Sequence, residues 1–82
     1  MLSKKLTKKF LTKKLVNKLK VEGFEFGSNE DLNRTVDYIL NRYLDTAIVI
    51  EEGIIKAVEL AIMDYIERDL FTNRELERLY VI

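Results

Sequence analysis

Apolar residues recur every four positions near the start of the chain: Leu2, Leu6 and Phe10, then Leu11, Leu15 and Leu19. Lysines fill most of the positions between them, in the repeats Ser3-Lys4-Lys5-Leu6, Thr7-Lys8-Lys9-Phe10 and Thr12-Lys13-Lys14-Leu15. Leucine and lysine favour a helix, and no glycine or proline interrupts the run, so a helix is expected over residues 2–19. A step of four exceeds the 3.6-residue turn, so the apolar stripe drifts around that helix and makes no clean two-faced pattern. The period then changes. In Lys20-Val21-Glu22-Gly23-Phe24-Glu25-Phe26-Gly27 two glycines punctuate the chain, and Phe24 and Phe26 alternate with Glu25. That pattern suits a short strand or an extended loop, leaving room for a small β-element near 19–26.

From Ser28 the helical period returns. Ser28 is placed to cap, Glu30 and Asp31 sit in the first turn where the helix dipole favours acids, and Leu32, Val36, Ile39, Leu40, Tyr43 and Leu44 share one face. This predicts a helix over 28–44 with Tyr38 on the exposed side. Residues 46–50, Thr-Ala-Ile-Val-Ile, suit either an extended segment or a buried helix. A helix running straight through would carry Glu51 into the next apolar face, so a break is expected near 45–51. A helix over 52–70 follows, with Ile54, Ile55, Val58, Ala61, Ile62, Tyr65 and Ile66 on one face and Leu60 and Met63 off it. Thr72 with Glu75 three residues on has the capping-box pattern and opens a short helix over 73–80. The expected fold is a small all-α domain of four helices, about 2–19, 28–44, 52–70 and 73–80. The last four residues, Leu79-Tyr80-Val81-Ile82, are apolar and need cover.

Composition adds a charge asymmetry to this picture. Eighty-two residues, 48% of them apolar, make one domain with one modest core. Residues 1–20 carry eight lysines and no acid, a charge of +8; residues 21–82 carry six basic residues against all fourteen acids, a charge of −8. The domain thus divides into a basic helix, 1–20, and an acidic helical body, 21–82, a polarity that asks for a partner at one end or for neutralisation between the two. No apolar run reaches the roughly 18–20 residues that span a bilayer. Lysines interrupt any secretory apolar region, and residues 1–20 lack the arginines of a mitochondrial presequence. A cytoplasmic location is expected.

The residue inventory excludes much chemistry. There is no histidine and no cysteine, which removes the usual general base, imidazole and thiolate metal ligands, thiol nucleophiles and disulfides. The only serines are Ser3 and the capping Ser28, and glycines at 23, 27 and 53 spell neither a Walker loop nor a dinucleotide fingerprint. Carboxylate pairs remain at Glu51-Glu52, Asp64/Glu67 and Glu22/Glu25. Structural carboxylates far outnumber catalytic ones, and these read as solvated faces. The expectation is a protein that is not an enzyme, with no cofactor, no metal and no small-molecule substrate.

Binding roles are left. The chain carries more apolar helix surface than one small core uses, which points to a regulatory or accessory protein that binds a protein partner, itself included, as a homo-oligomer. The residues expected at that interface are Leu60, Met63, Tyr80, Val81 and Ile82. The alternative is nucleic-acid binding through Lys4, Lys5, Lys8, Lys9, Lys13, Lys14, Lys18 and Lys20, which supply salt-sensitive phosphate affinity without the arginines that more often read bases. Asn17-Lys18-Leu19-Lys20-Val21-Glu22-Gly23 followed by helices at 28–44 and 52–70 has the strand-helix-helix order of ribbon-helix-helix repressors, although Glu22 and Glu25 sit in or beside the strand that enters the groove there. Attachment of the basic helix to a membrane surface is the weakest reading: the stripe drifts and no tryptophan anchors it.

Overall fold

The computed structural model describes residues 4–70 and 79–81. Among the described residues, four helices and the two strands of a ribbon follow in this order: α1 (Lys4–Val21), β1 (Phe24–Phe26), α2 (Asn29–Arg42), α3 (Thr46–Glu52), α4 (Ile54–Tyr65), a π-helical turn (Ile66–Leu70) and β2 (Leu79–Val81). The chain is a small all-α domain with a short β-element.

In α1 the four-residue repeat becomes a four-residue burial pattern. Thr7, Leu11, Leu15 and Leu19 are buried, while Lys5, Lys9, Lys13, Asn17 and Val21 are exposed. Both rows follow the i+4 ridge, which runs obliquely to the helix axis, so α1 meets α2, α4 and β1 along an inclined line. Of the two apolar triplets in the sequence the second fills the buried row, while Leu2 of the first lies outside the described residues. Leu6 is 54% exposed and Phe10 half-buried, because Thr7 holds the first place in the inward row. Burying Leu11, Leu15 and Leu19 stabilises the fold by about 1.5–3 kcal/mol each.

Gly23, at φ +90°, ends α1, and its N–H donates to the Lys20 carbonyl at 3.0 Å. Residues 17–21 therefore belong to the helix, and the strand starts only at Phe24. Phe24 and Phe26 pack half-buried on the core with Glu25 turned outward, as a pleated strand requires. The partner of β1 comes from the end of the chain: β2 pairs antiparallel, with Phe24 opposite Val81, Glu25 opposite Tyr80 and Phe26 opposite Leu79. Leu79 and Tyr80, expected at the end of a last helix, are strand; the remainder of that expected helix, 73–78, lies outside the described residues.

Ser28 caps α2 as expected, its Oγ accepting from the Asp31 N–H at 3.1 Å. Residues 46–50, where a break was expected, are helical, and the breaks flank them. Asp45 caps α3 by accepting from the Ala47 N–H at 2.8 Å, and Gly53, at φ +92°, separates α3 from α4. The cap fixes the helical start, and Ile48 and Val49 gain half-burial in a helix whose contacts are chiefly with α4, so the extended preference of β-branched residues yields. The core joins Leu11, Leu15 and Leu19 to Val36 and Ile39 of α2, Val58, Ala61, Ile62 and Tyr65 of α4, and Ile66 and Leu70 of the π turn.

Candidate protein-binding surface

Two hollows flank α4. On one side Lys14, Asn17, Lys18 and Val21 of α1 face Glu59, Ile62 and Met63 of α4 across a shallow groove of about 360 Å³. Its floor is apolar. Val21 is 80% exposed and Met63 49% exposed, beside the edge of the buried Ile62. Its walls differ in charge, with Lys14 and Lys18 on α1 and Glu59 on α4. On the other side a more polar hollow is lined by Leu60 and Asp64 of α4 with Arg42, Tyr43, Ile48 and Arg68 among its other walls.

The interface residues expected from the sequence are thus dispersed. Met63 lies in the first groove and Leu60, half-buried, in the second. Tyr80 and Val81 are in β2, with their backbones paired to Glu25 and Phe24; Ile82 lies outside the described residues. Besides Leu6, three exposed aliphatic residues among those described were not expected at an interface. Val21 ends the exposed i+4 row of α1, a position the four-residue repeat already marked. Ile50 of α3 is 82% exposed, and Ile55, expected on the inward face together with Ile54, is 58% exposed while Ile54 packs half-buried on the core.

The lysines fall into two groups. Lys8 pairs with Asp37 of α2 at 2.9 Å, Lys18 with Glu22 at 3.4 Å, and the Lys14 ammonium lies 5.6 Å from the centre of the Phe10 ring. Lys5, Lys9, Lys13 and Lys20 are exposed and form no ion pair with the described residues. Among the described ion pairs, Lys8–Asp37 alone ties the basic helix to an acidic helix, and a surface pair of this kind contributes about 0–1 kcal/mol. The side chain of Lys4 lies outside the described residues.

None of the six carboxylates in the expected pairs is buried. Glu22 is committed to Lys18 while Glu25 stands on β1; Asp64 lines the polar hollow beside Arg68 while Glu67 is exposed; Glu51 and Glu52 are both exposed at the end of α3. Among the described residues no three acids gather as a metal site. Among the described residues the one buried acid is Asp69, in the π turn, which accepts hydrogen bonds from the hydroxyls of Tyr38, at 2.9 Å, and Tyr43. The Tyr38 ring packs edge-on against Tyr43 and Tyr65, with centroids 6.1 and 6.3 Å away. This constellation joins α2 to the end of α4 and has the character of a packing device. Among the described residues no helix is long and apolar enough to cross a membrane. Comparison with known protein families, with curated proteins and with solved structures finds no match to this chain.

Proposed function

We propose that this chain is a small regulatory or accessory protein without catalytic activity, working in the cytoplasm by binding protein and associating with copies of itself. The observation that carries the reading is the groove between α1 and α4, where Val21 and Met63 stand open to water beside a completed core. Single exposed aliphatic residues are ordinary, but a floor built from two helices and rimmed by charge has the make-up of a protein-binding patch. The absence of histidine and cysteine from the sequence, and the surface position of the carboxylate pairs, favour binding over catalysis. Sedimentation equilibrium over a wide concentration range tests the reading; it predicts a mass above that of one chain, and a strict monomer contradicts it.

The second reading, nucleic-acid binding, is supported by the row Lys5, Lys9 and Lys13 together with Lys20, exposed and without ion-pair partners among the described residues. Contacts of that kind reach phosphates and lose affinity steeply with salt. The ribbon-helix-helix version loses its main support, since 17–21 is helix and β1 is already paired within its own chain. A mobility shift with duplex DNA and RNA across a salt series tests the lysines. The protein-binding account predicts no retarded complex above about 0.1 M salt, where exposed charges are largely screened; a complex that survives there favours the nucleic acid.

A further inference from the structure

We infer that the α1–α4 groove receives the same groove of a second copy, about a two-fold axis running along it, so that α1 of one chain lies over α4 of the other. The inference rests on the proposed self-association and assigns its surface and symmetry. A surface that pairs with itself must be self-complementary. The groove meets that condition through its walls: Lys14 and Lys18 on one side, Glu59 on the other, with Val21, Ile62 and Met63 between. An axis along the groove exchanges the walls, bringing the lysines of each copy against Glu59 of its partner and the apolar floors together. An axis across the groove sets lysine against lysine and Glu59 against Glu59, an arrangement opposed by like-charge repulsion. Charge therefore selects one of the two ways the grooves can meet. The existing Lys18–Glu22 pair, 3.4 Å long and exposed, is a weak competitor. A stable dimer buries roughly 600–1,000 Å² on each partner, more than the groove alone, and the exposed Ile55, one turn from Glu59 on the same i+4 row, extends the contact along α4.

Charge exchange in the full chain tests this. Glu59 is exposed, so Glu59→Lys leaves the core untouched, and circular dichroism checks that the variant folds. Glu59→Lys alone is expected to weaken dimerisation about tenfold or more by setting three cations together. The triple variant Lys14→Glu, Lys18→Glu, Glu59→Lys, with both walls reversed, is expected to restore it. A second readout uses the lack of cysteine in the chain: Met63→Cys supplies a single thiol near the axis, and mild oxidation is expected to yield a disulfide-linked dimer, whereas Asn33→Cys on exposed α2 gives little. Association that is indifferent to Glu59→Lys, or a triple variant that stays monomeric, overturns the groove and its axis while leaving self-association through another face. A wild-type chain that never associates overturns the inference and the proposed function together.

Discussion

Asp69 and Thr35 are buried polar residues with opposite circumstances. Asp69 accepts from two phenol hydroxyls; Thr35, on the inward side of α2, has no hydrogen-bond partner for its Oγ1 among the described residues. A buried hydroxyl left without a partner costs about 1–3 kcal/mol. Thr35→Val keeps the shape and removes that cost, so thermal denaturation is expected to show a higher midpoint, with a stabilisation of about 1 kcal/mol; a lower midpoint means the hydroxyl has a use that its surroundings do not explain. The phenols yield a second prediction. Burial, and then the hydrogen bond to Asp69, raise both Tyr38 and Tyr43 above the usual phenol value. A raised value favours the neutral phenol in the folded chain. Its contribution to stability is therefore complete below the unfolded value of roughly 10 and is lost as pH rises through the folded values. The urea midpoint is expected to fall above about pH 10, and less steeply in the Tyr38→Phe/Tyr43→Phe double variant; equal slopes contradict the linkage. Some of this site was open to reading beforehand. Asp69 stands four residues after Tyr65 and three after Ile66, on the inward face, yet a carboxylate there reads as surface until its donors are known. Those donors come from α2 and its C-cap, thirty-one and twenty-six residues away; Tyr38 is 38% exposed, as its place opposite the apolar face predicts, while its hydroxyl reaches Asp69.

At the scale of elements, local signals decide which boundaries are legible. Ser28, Glu30 and Asp31 mark the start of α2 because a cap is a short-range device, and Gly23 marks the end of α1 because φ +90° is open to glycine at little cost. Residues 46–50 were ambiguous because half-burial against α4 decides them, and that contact lies beyond any local window. The antiparallel partner of β1 was hidden for the same reason, since β2 arrives more than fifty positions later. The lysine-rich segment, +8 in total, invites reading as a tail, but its inward row makes it a structural helix. Deleting residues 1–20 removes Leu11, Leu15 and Leu19 from the core, and the truncated chain is expected to lose its cooperative unfolding transition by circular dichroism. Retention of a sharp transition by residues 21–82 contradicts a structural role for α1.

For the whole molecule, opposite charge is divided between one helix and the rest, yet the two parts are joined mainly through apolar contacts. Lys8 alone bridges α1 to an acidic helix among the described ion pairs, which leaves most of the +8 facing water. In the proposed self-association such polarity steers copies toward one another, basic helix to acidic helix, and the α1–α4 groove carries that polarity on its own two walls. The central claim is that the chain binds protein, itself first, through this exposed apolar and charged surface. Sedimentation equilibrium of the wild-type chain beside Met63→Asp tests it most directly. The account predicts reversible dimers for the wild type and a shift toward monomer for the variant; a wild-type chain that remains a monomer at every concentration contradicts it.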